Sequence, residues 1–228
     1  KNSEYTIDNS SGYAIRETST QYRNKLSICS VRSCNCPRTH INCMTPKEWL
    51  KSQLGVWQFT YESRDIRDKT IHPATFPIAL CKKVIELFTH QGELVLDPFV
   101  GSGTTLIAAN DLNRNAIGFD LQSEYIDLCE KRLSQQPNLF NRTRQLAIQD
   151  DAKNIPQYID PNTLSLIWTS PPYANLLNRA RKNKSRRFRD NDQLGKVEQY
   201  SQNPRDLGTM PIDQYAAAMG DIYQSLLP

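Results

Sequence analysis

The hydrophobic pattern divides this chain near residue 65. Residues 1–45 are polar and hold no sustained period, which predicts an irregular appendage. Thr45 as an N-cap, Pro46 at the first helical position, and Glu48, Trp49 and Leu50 behind them predict a short helix. Gly55 breaks it, and Val56 to Tyr61 alternates like a short strand. From residue 72 onwards the pattern is α/β. Behind His72-Pro73, the residues Ile78, Val84, Ile85, Leu87 and Phe88 recur at helical spacing, with Gly92 as the stop. Leu94–Leu96 is a short buried strand ending at Asp97. Thr104 to Leu112 is a helix with Leu106, Ile107 and Ala109 inward. Ala116 to Phe119 is a second strand, ending at Asp120, and Ser123 caps a helix carrying Tyr125, Ile126, Cys129 and Leu133. Leu146 to Ile148 is a third strand ending at Asp150-Asp151. Leu164 to Trp168 is a fourth, running into Ser170, and Ile212 to Leu227 forms a final helix.

Alternating strands and helices predict an α/β fold with a doubly wound, mostly parallel sheet. The expected organisation is an appendage over 1–64 and one domain over 65–228, with a basic loop at 174–211. Ligands of such sheets sit beyond the C-terminal strand ends, where Asp97, Asp120, Asp151 and Ser170 all fall. Four strands are fewer than the five or more usual in doubly wound domains. The expectation is therefore a sheet incomplete at its C-terminal side, and a chain that is a fragment.

Composition narrows the class. At 228 residues and 38% apolar content the chain can bury a core. No run of eighteen apolar residues and no apolar signal core are present, so the expectation is a cytoplasmic protein without a membrane span. Net charge is only +4, but Arg179, Arg181, Lys182, Lys184, Arg186, Arg187 and Arg189 crowd into one acid-free run. That run is a footprint for a polyanion, with Phe188 able to wedge or stack; the alternative is a solvated loop. Four of six cysteines, Cys29, Cys34, Cys36 and Cys43, share one short stretch, and with His40 they could hold a zinc ion. Their spacing lacks a C-x2-C pair, so reduced thiols compete with that reading, and the chemistry expected below needs no metal. Cys81 and Cys129 read as small core residues.

Two strings carry chemistry. In Asp97-Pro98-Phe99-Val100-Gly101-Ser102-Gly103-Thr104-Thr105 the glycines allow a tight turn and close approach to a ligand, and Thr104 and Thr105 open a helix. No lysine precedes the Ser/Thr, and Leu106 stands where a dinucleotide fingerprint needs glycine, so the loop suits no phosphate. Asp120 can accept from both ribose hydroxyls of an adenosine or merely cap the next helix. Asp151 can receive the adenine amine, with Asp150 competing. In Thr169-Ser170-Pro171-Pro172-Tyr173, a stiff Pro-Pro backbone can fix a carbonyl that accepts the hydrogens of an exocyclic amine, helped by the Ser170 oxygen. Tyr173 can stack on an extruded base, worth about 1–3 kcal/mol.

These strings, with Ile117-Gly118-Phe119-Asp120 and His72-Pro73-Ala74-Thr75-Phe76-Pro77, resemble the amino-methyltransferases of bacterial restriction–modification systems over residues 70–228. The resemblance implies a Rossmann-like S-adenosylmethionine-dependent methyltransferase fold, double-stranded DNA as substrate, and a cognate restriction endonuclease as a companion. It implies a cofactor set of His72, Phe76, Asp97, Pro98, Phe99, Gly101, Gly103, Thr104, Thr105, Asp120, Leu121 and Asp151, and a base site of Ser170, Pro171, Pro172 and Tyr173. A serine before Pro-Pro-Tyr is mostly associated with cytosine N4 methylation, and an aspartate or asparagine with adenine N6. Ser170 thus points to N4-cytosine, with N6-adenine and a catalytically incomplete DNA-binding module as alternatives. Many members place Pro-Pro-Tyr ahead of the glycine loop; here the order is reversed. No Pro-Cys pair is present, which disfavours the covalent route of the cytosine C5 enzymes.

Overall fold

The computed structural model describes residues 30–53, 55–66, 76–136, 143–174 and 203–227. Its elements run α1 (Pro46–Ser52), α2 (Ser63–Ile66), α3 (Ile78–Phe88), β1 (Leu94–Asp97), α4 (Thr104–Asp111), β2 (Asn115–Asp120), α5 (Ser123–Ser134), β3 (Gln145–Gln149), β4 (Leu166–Ile167) and α6 (Ile212–Leu226). Short 3-10 turns occupy Ala152–Gln157 and Leu207–Thr209. The four strands form one parallel sheet in the order β3-β2-β1-β4. This is the parallel α/β arrangement that the alternating pattern predicts, and the Rossmann-like form that the resemblance implies.

The alternation of side chains along each strand builds two different faces. Leu94, Leu96, Ile117, Phe119, Leu146 and Ile148 point to one face and pack with Ile155, Tyr158, Met219 and Ile222. Val95, Ala116 and Ala147 point to the other, against Ile78, Ile85, Leu106, Ile107 and Cys129. The second face is small because α4 lies close upon it. A Cβ built on Gly118 would overlap Val100 Cγ2 and stand 2.9 Å from Leu106 Cδ1.

Helix boundaries follow local chemistry. Thr45 caps α1 in a complete capping box with Glu48, as its sequence predicts. Asp65, in α2, is buried; its Oδ1 accepts from the Ile78 amide at 3.0 Å and so caps α3, whose own N-cap Pro77 offers no side-chain acceptor. Residues 64 and 65, the expected domain boundary, both lie inside α2.

Three local expectations need correction. Residues 56–61 form no strand: Val56 is 81% exposed, and alternation without a partner ladder among the described residues leaves irregular chain. Trp57 instead meets Phe59 edge-on at 6.3 Å. Ser123 is the first residue of α5 rather than its cap, since Gln122 holds the cap position without a side-chain bond. Helix α3 ends at Phe88, and Gly92 (φ +85) serves the turn into β1.

Candidate active site

Because β4 lies directly against β1, the loop after Asp97 and the loop after Ile167 open side by side. Between them lies a cleft of about 880 Å³, counting its open mouth. Its walls include Phe76, Pro98, Phe99, Gly101, Thr104, Asp120, Leu121, Asp151, Ser170, Pro171, Pro172 and Tyr173. Residues from two strings far apart in the chain thus share one cavity. Asp97, Gly103 and Thr105 stand outside that lining. His72, the seven cations of 179–189, and Phe188 lie outside the described residues.

The residues behind the wall hold the loop in shape. Asp97 is buried; its Oδ1 accepts from the Phe99 amide at 3.1 Å and its Oδ2 from the Thr105 hydroxyl at 2.5 Å. Gly103 adopts φ +82, and a Cβ there would overlap Cys129 Sγ. Its missing side chain therefore serves the packing of α4 on α5, whereas Gly101 (φ +48) turns the backbone at the cleft itself. Arg132, buried on α5, donates to the Ser102 carbonyl at 2.7 Å and to Ser102 Oγ at 2.9 Å, which anchors the loop from below.

Asp120 ends β2 at the foot of the cleft. Its Oδ2 accepts from the Gly101 amide at 3.1 Å and its Oδ1 from the Gln122 amide at 2.9 Å. Removal from water pushes its carboxyl up to about 7 against those two bonds, and the charges of Asp206 and Asp97 add to the rise. Burial likewise raises Asp97 to about 6. Asp150 is engaged internally: its Oδ1 takes the Asp151 amide and Asn154 Nδ2, and its Oδ2 takes the Tyr158 hydroxyl at 2.6 Å. Asp151 caps the following 3-10 turn through the Lys153 amide.

On the opposite wall, Ser170 Oγ and Tyr173 Oη lie 3.2 Å apart, and Tyr173 is 48% exposed. Ala174, at φ +48, turns the chain immediately afterwards. The structure also brings in residues that the sequence pattern missed: Ser102, Gln122, Tyr125, Arg205 and Asp206. Asn203, Pro204 and Asp206 carry a turn-and-cap signal, and Asp206 Oδ1 does accept from the Gly208 amide at 2.7 Å, but nothing in that signal says which cavity the turn closes.

Of the three cysteines of the N-terminal set that are described, Cys34, Cys36 and Cys43 gather with His90 at the opposite end of the sheet, not with His40. Cys29 lies outside the described residues. No helix among the described residues is long and apolar enough to cross a membrane.

A parallel sheet thus carries a glycine turn after its first strand, an acid after its second and Ser-Pro-Pro-Tyr after its fourth, all on the wall of one cleft. The chain belongs to the N6/N4 DNA methylase family, whose match spans residues 2–131 and so includes the glycine loop and Asp120. Among curated relatives it is similar to the type II methyltransferase M.HpaI of Haemophilus parainfluenzae, 38% identical over 38% of this chain and 28% of that protein. It is also similar to the type II methyltransferase M.HindIII of Haemophilus influenzae, 44% identical over 34% of this chain and 26% of the relative. The matched stretches thus span under a third of these relatives. Among solved structures, the M1.HpyAVI–SAM complex is 37% identical over 35% of this chain and 41% of that one, with a TM-score of 0.30. TTHA0409 from Thermus thermophilus, named a putative DNA modification methylase and complexed with S-adenosyl-L-methionine, is 28% identical over 42% of this chain and 44% of its own, with a TM-score of 0.29.

Proposed function

We propose that this protein transfers a methyl group from S-adenosylmethionine to the exocyclic N4 of cytosine in double-stranded DNA, at a base turned out of the helix. The observation that carries the reading is the convergence of the Gly101 turn, Asp120 and Ser170–Tyr173 on one cleft.

The charge of the lining supports this cofactor. Among the described residues of the wall, four are acids, Asp120, Asp150, Asp151 and Asp206, against one cation, Arg205. Such a cavity favours a cationic sulfonium and disfavours a polyphosphate. Asp120 would accept from the ribose hydroxyls, Asp151 from the adenine amine, and Phe76, Phe99 and Leu121 would cover apolar parts of the ligand. When bound, the cofactor supplies an electrophilic methyl.

The Pro171–Pro172 backbone fixes the strand end rigidly, so that a carbonyl and Ser170 Oγ can accept the two amine hydrogens and turn the nitrogen lone pair toward the methyl. Tyr173 holds the base by stacking, while its hydroxyl keeps Ser170 in place. Positioning of this kind replaces a costly bimolecular encounter by an oriented one. The cations of 179–189 follow Tyr173 in sequence and would contact phosphates beside the extruded base, making binding salt-dependent.

The test is transfer of a labelled methyl from S-adenosylmethionine to duplex DNA, followed by nucleoside digestion and mass analysis. N4-methylcytosine is the expected product. N6-methyladenine would move the reading to the adenine branch, and DNA binding without transfer would leave only a binding module.

A further inference from the structure

At the N-terminal end of the sheet, far from the cleft, the loop between α3 and β1 carries His90, and the segment 30–44 crosses it. The crossing is close. The Ser33 amide donates to the Gln91 carbonyl at 2.8 Å, and the Leu94 amide donates to Ser30 Oγ at 3.1 Å. A Cβ on Gly92 would overlap the Val31 carbonyl oxygen, so only glycine lets the segment through. Here Cys34 Sγ, Cys36 Sγ, Cys43 Sγ and His90 Nδ1 lie within 4.8 Å of one another, all of them half-buried. None of the three cysteines is in a disulfide.

We infer that these four residues bind one structural zinc ion that ties the N-terminal segment to the root of β1. Zinc ligated by thiolate at about 2.3 Å and imidazole at about 2.0–2.1 Å in a tetrahedron sets sulfur–nitrogen edges of about 3.5–3.6 Å. Cys34 Sγ and Cys43 Sγ stand 3.5 and 3.4 Å from His90 Nδ1. A neutral imidazole nitrogen has one lone pair and can accept one thiol hydrogen, so two sulfurs converging on it fit a shared metal better than a hydrogen bond. The outer contacts match as well. Arg32 Nε lies 3.2 Å from Cys34 Sγ and the Gln91 amide 3.5 Å from Cys43 Sγ, donors that stabilise thiolate ligands and offset the net negative charge of a Cys3His centre. Asn42 and Cys43 both take positive φ (49 and 69), which turns Cys43 back toward Cys34 and Cys36. Three soft thiolates with one imidazole and no position for water make a closed site of structural type. The inference stands whether or not the cleft performs methyl transfer.

Elemental analysis of the full protein purified under reducing conditions tests it, with about one zinc per chain expected. His90→Ala should lose the zinc, His90→Cys should regain it as a four-sulfur site, and Cys29→Ser and His40→Ala should keep it. Cobalt substitution should give the visible bands of a tetrahedral thiolate centre, weakened in His90→Ala. Because His90→Cys reads restoration, poor folding of His90→Ala does not mask the result. Absence of metal, retention of full zinc by His90→Ala, stoichiometric iron or copper instead, or cysteines blocked from thiol titration as disulfides would each overturn it.

Discussion

The two ends of the sheet solve opposite problems. The C-terminal end gathers oxygen-bearing side chains from the loops after all four strands around an open cleft, and burial holds Asp97 and Asp120 above the ordinary carboxylate range, Asp120 further through the charges of Asp206 and Asp97. The N-terminal end gathers sulfur and nitrogen around a closed point, and its backbone is locked by hydrogen bonds and by Gly92. A site that must receive and release a ligand keeps groups facing a cavity. A site that fastens the chain uses them up. The same parallel sheet supplies both because every crossover returns the chain to the same end.

Substitutions should separate the ends. The largest effect is expected from Ser170→Ala, which should lower methyl transfer by roughly 100-fold while S-adenosylmethionine affinity persists. Steady-state kinetics beside calorimetric binding would check this, and equal loss of both would make Ser170 structural. Gly103→Ala should destabilise the fold by about 2–4 kcal/mol, from the positive φ and the clash with Cys129, as read by urea unfolding. A wild-type midpoint would mean that α5 gives way freely.

Asp120→Asn should weaken cofactor affinity by about 10- to 100-fold through loss of charge-assisted hydrogen bonds. The sign of its pH dependence follows from the raised carboxyl. Ribose hydroxyls favour the ionised form, so affinity should be flat above about 7 and fall about tenfold per unit below it. The Asn variant should show no such slope, and a sloping variant would move the titration to another acid. The smallest effect is Thr45→Ala, about 1 kcal/mol from the lost cap, with cofactor affinity unchanged.

Much of this architecture is legible in the sequence where local and tertiary signals coincide. Leu94–Asp97 is short, apolar and followed by turn residues, so it reads as a buried parallel strand and is one. Val56–Tyr61 carries equally good alternation but is not in a strand. Residues whose role depends on adjacency leave no local trace. His90 lies 47 positions beyond Cys43, and its geometry is set by where α3 ends. The Gly103 glycine looks like a ligand contact in sequence and is a packing contact in space.

The lateral pairing of β1 with β4 bears on how a protein of the proposed activity could diversify. If the cleft works as proposed, its donor half and acceptor half meet through neighbouring strands, and their rank along the gene is geometrically free. A lineage can reshuffle the halves, or hang a new target-reading module between them, and the reacting atoms would still find each other.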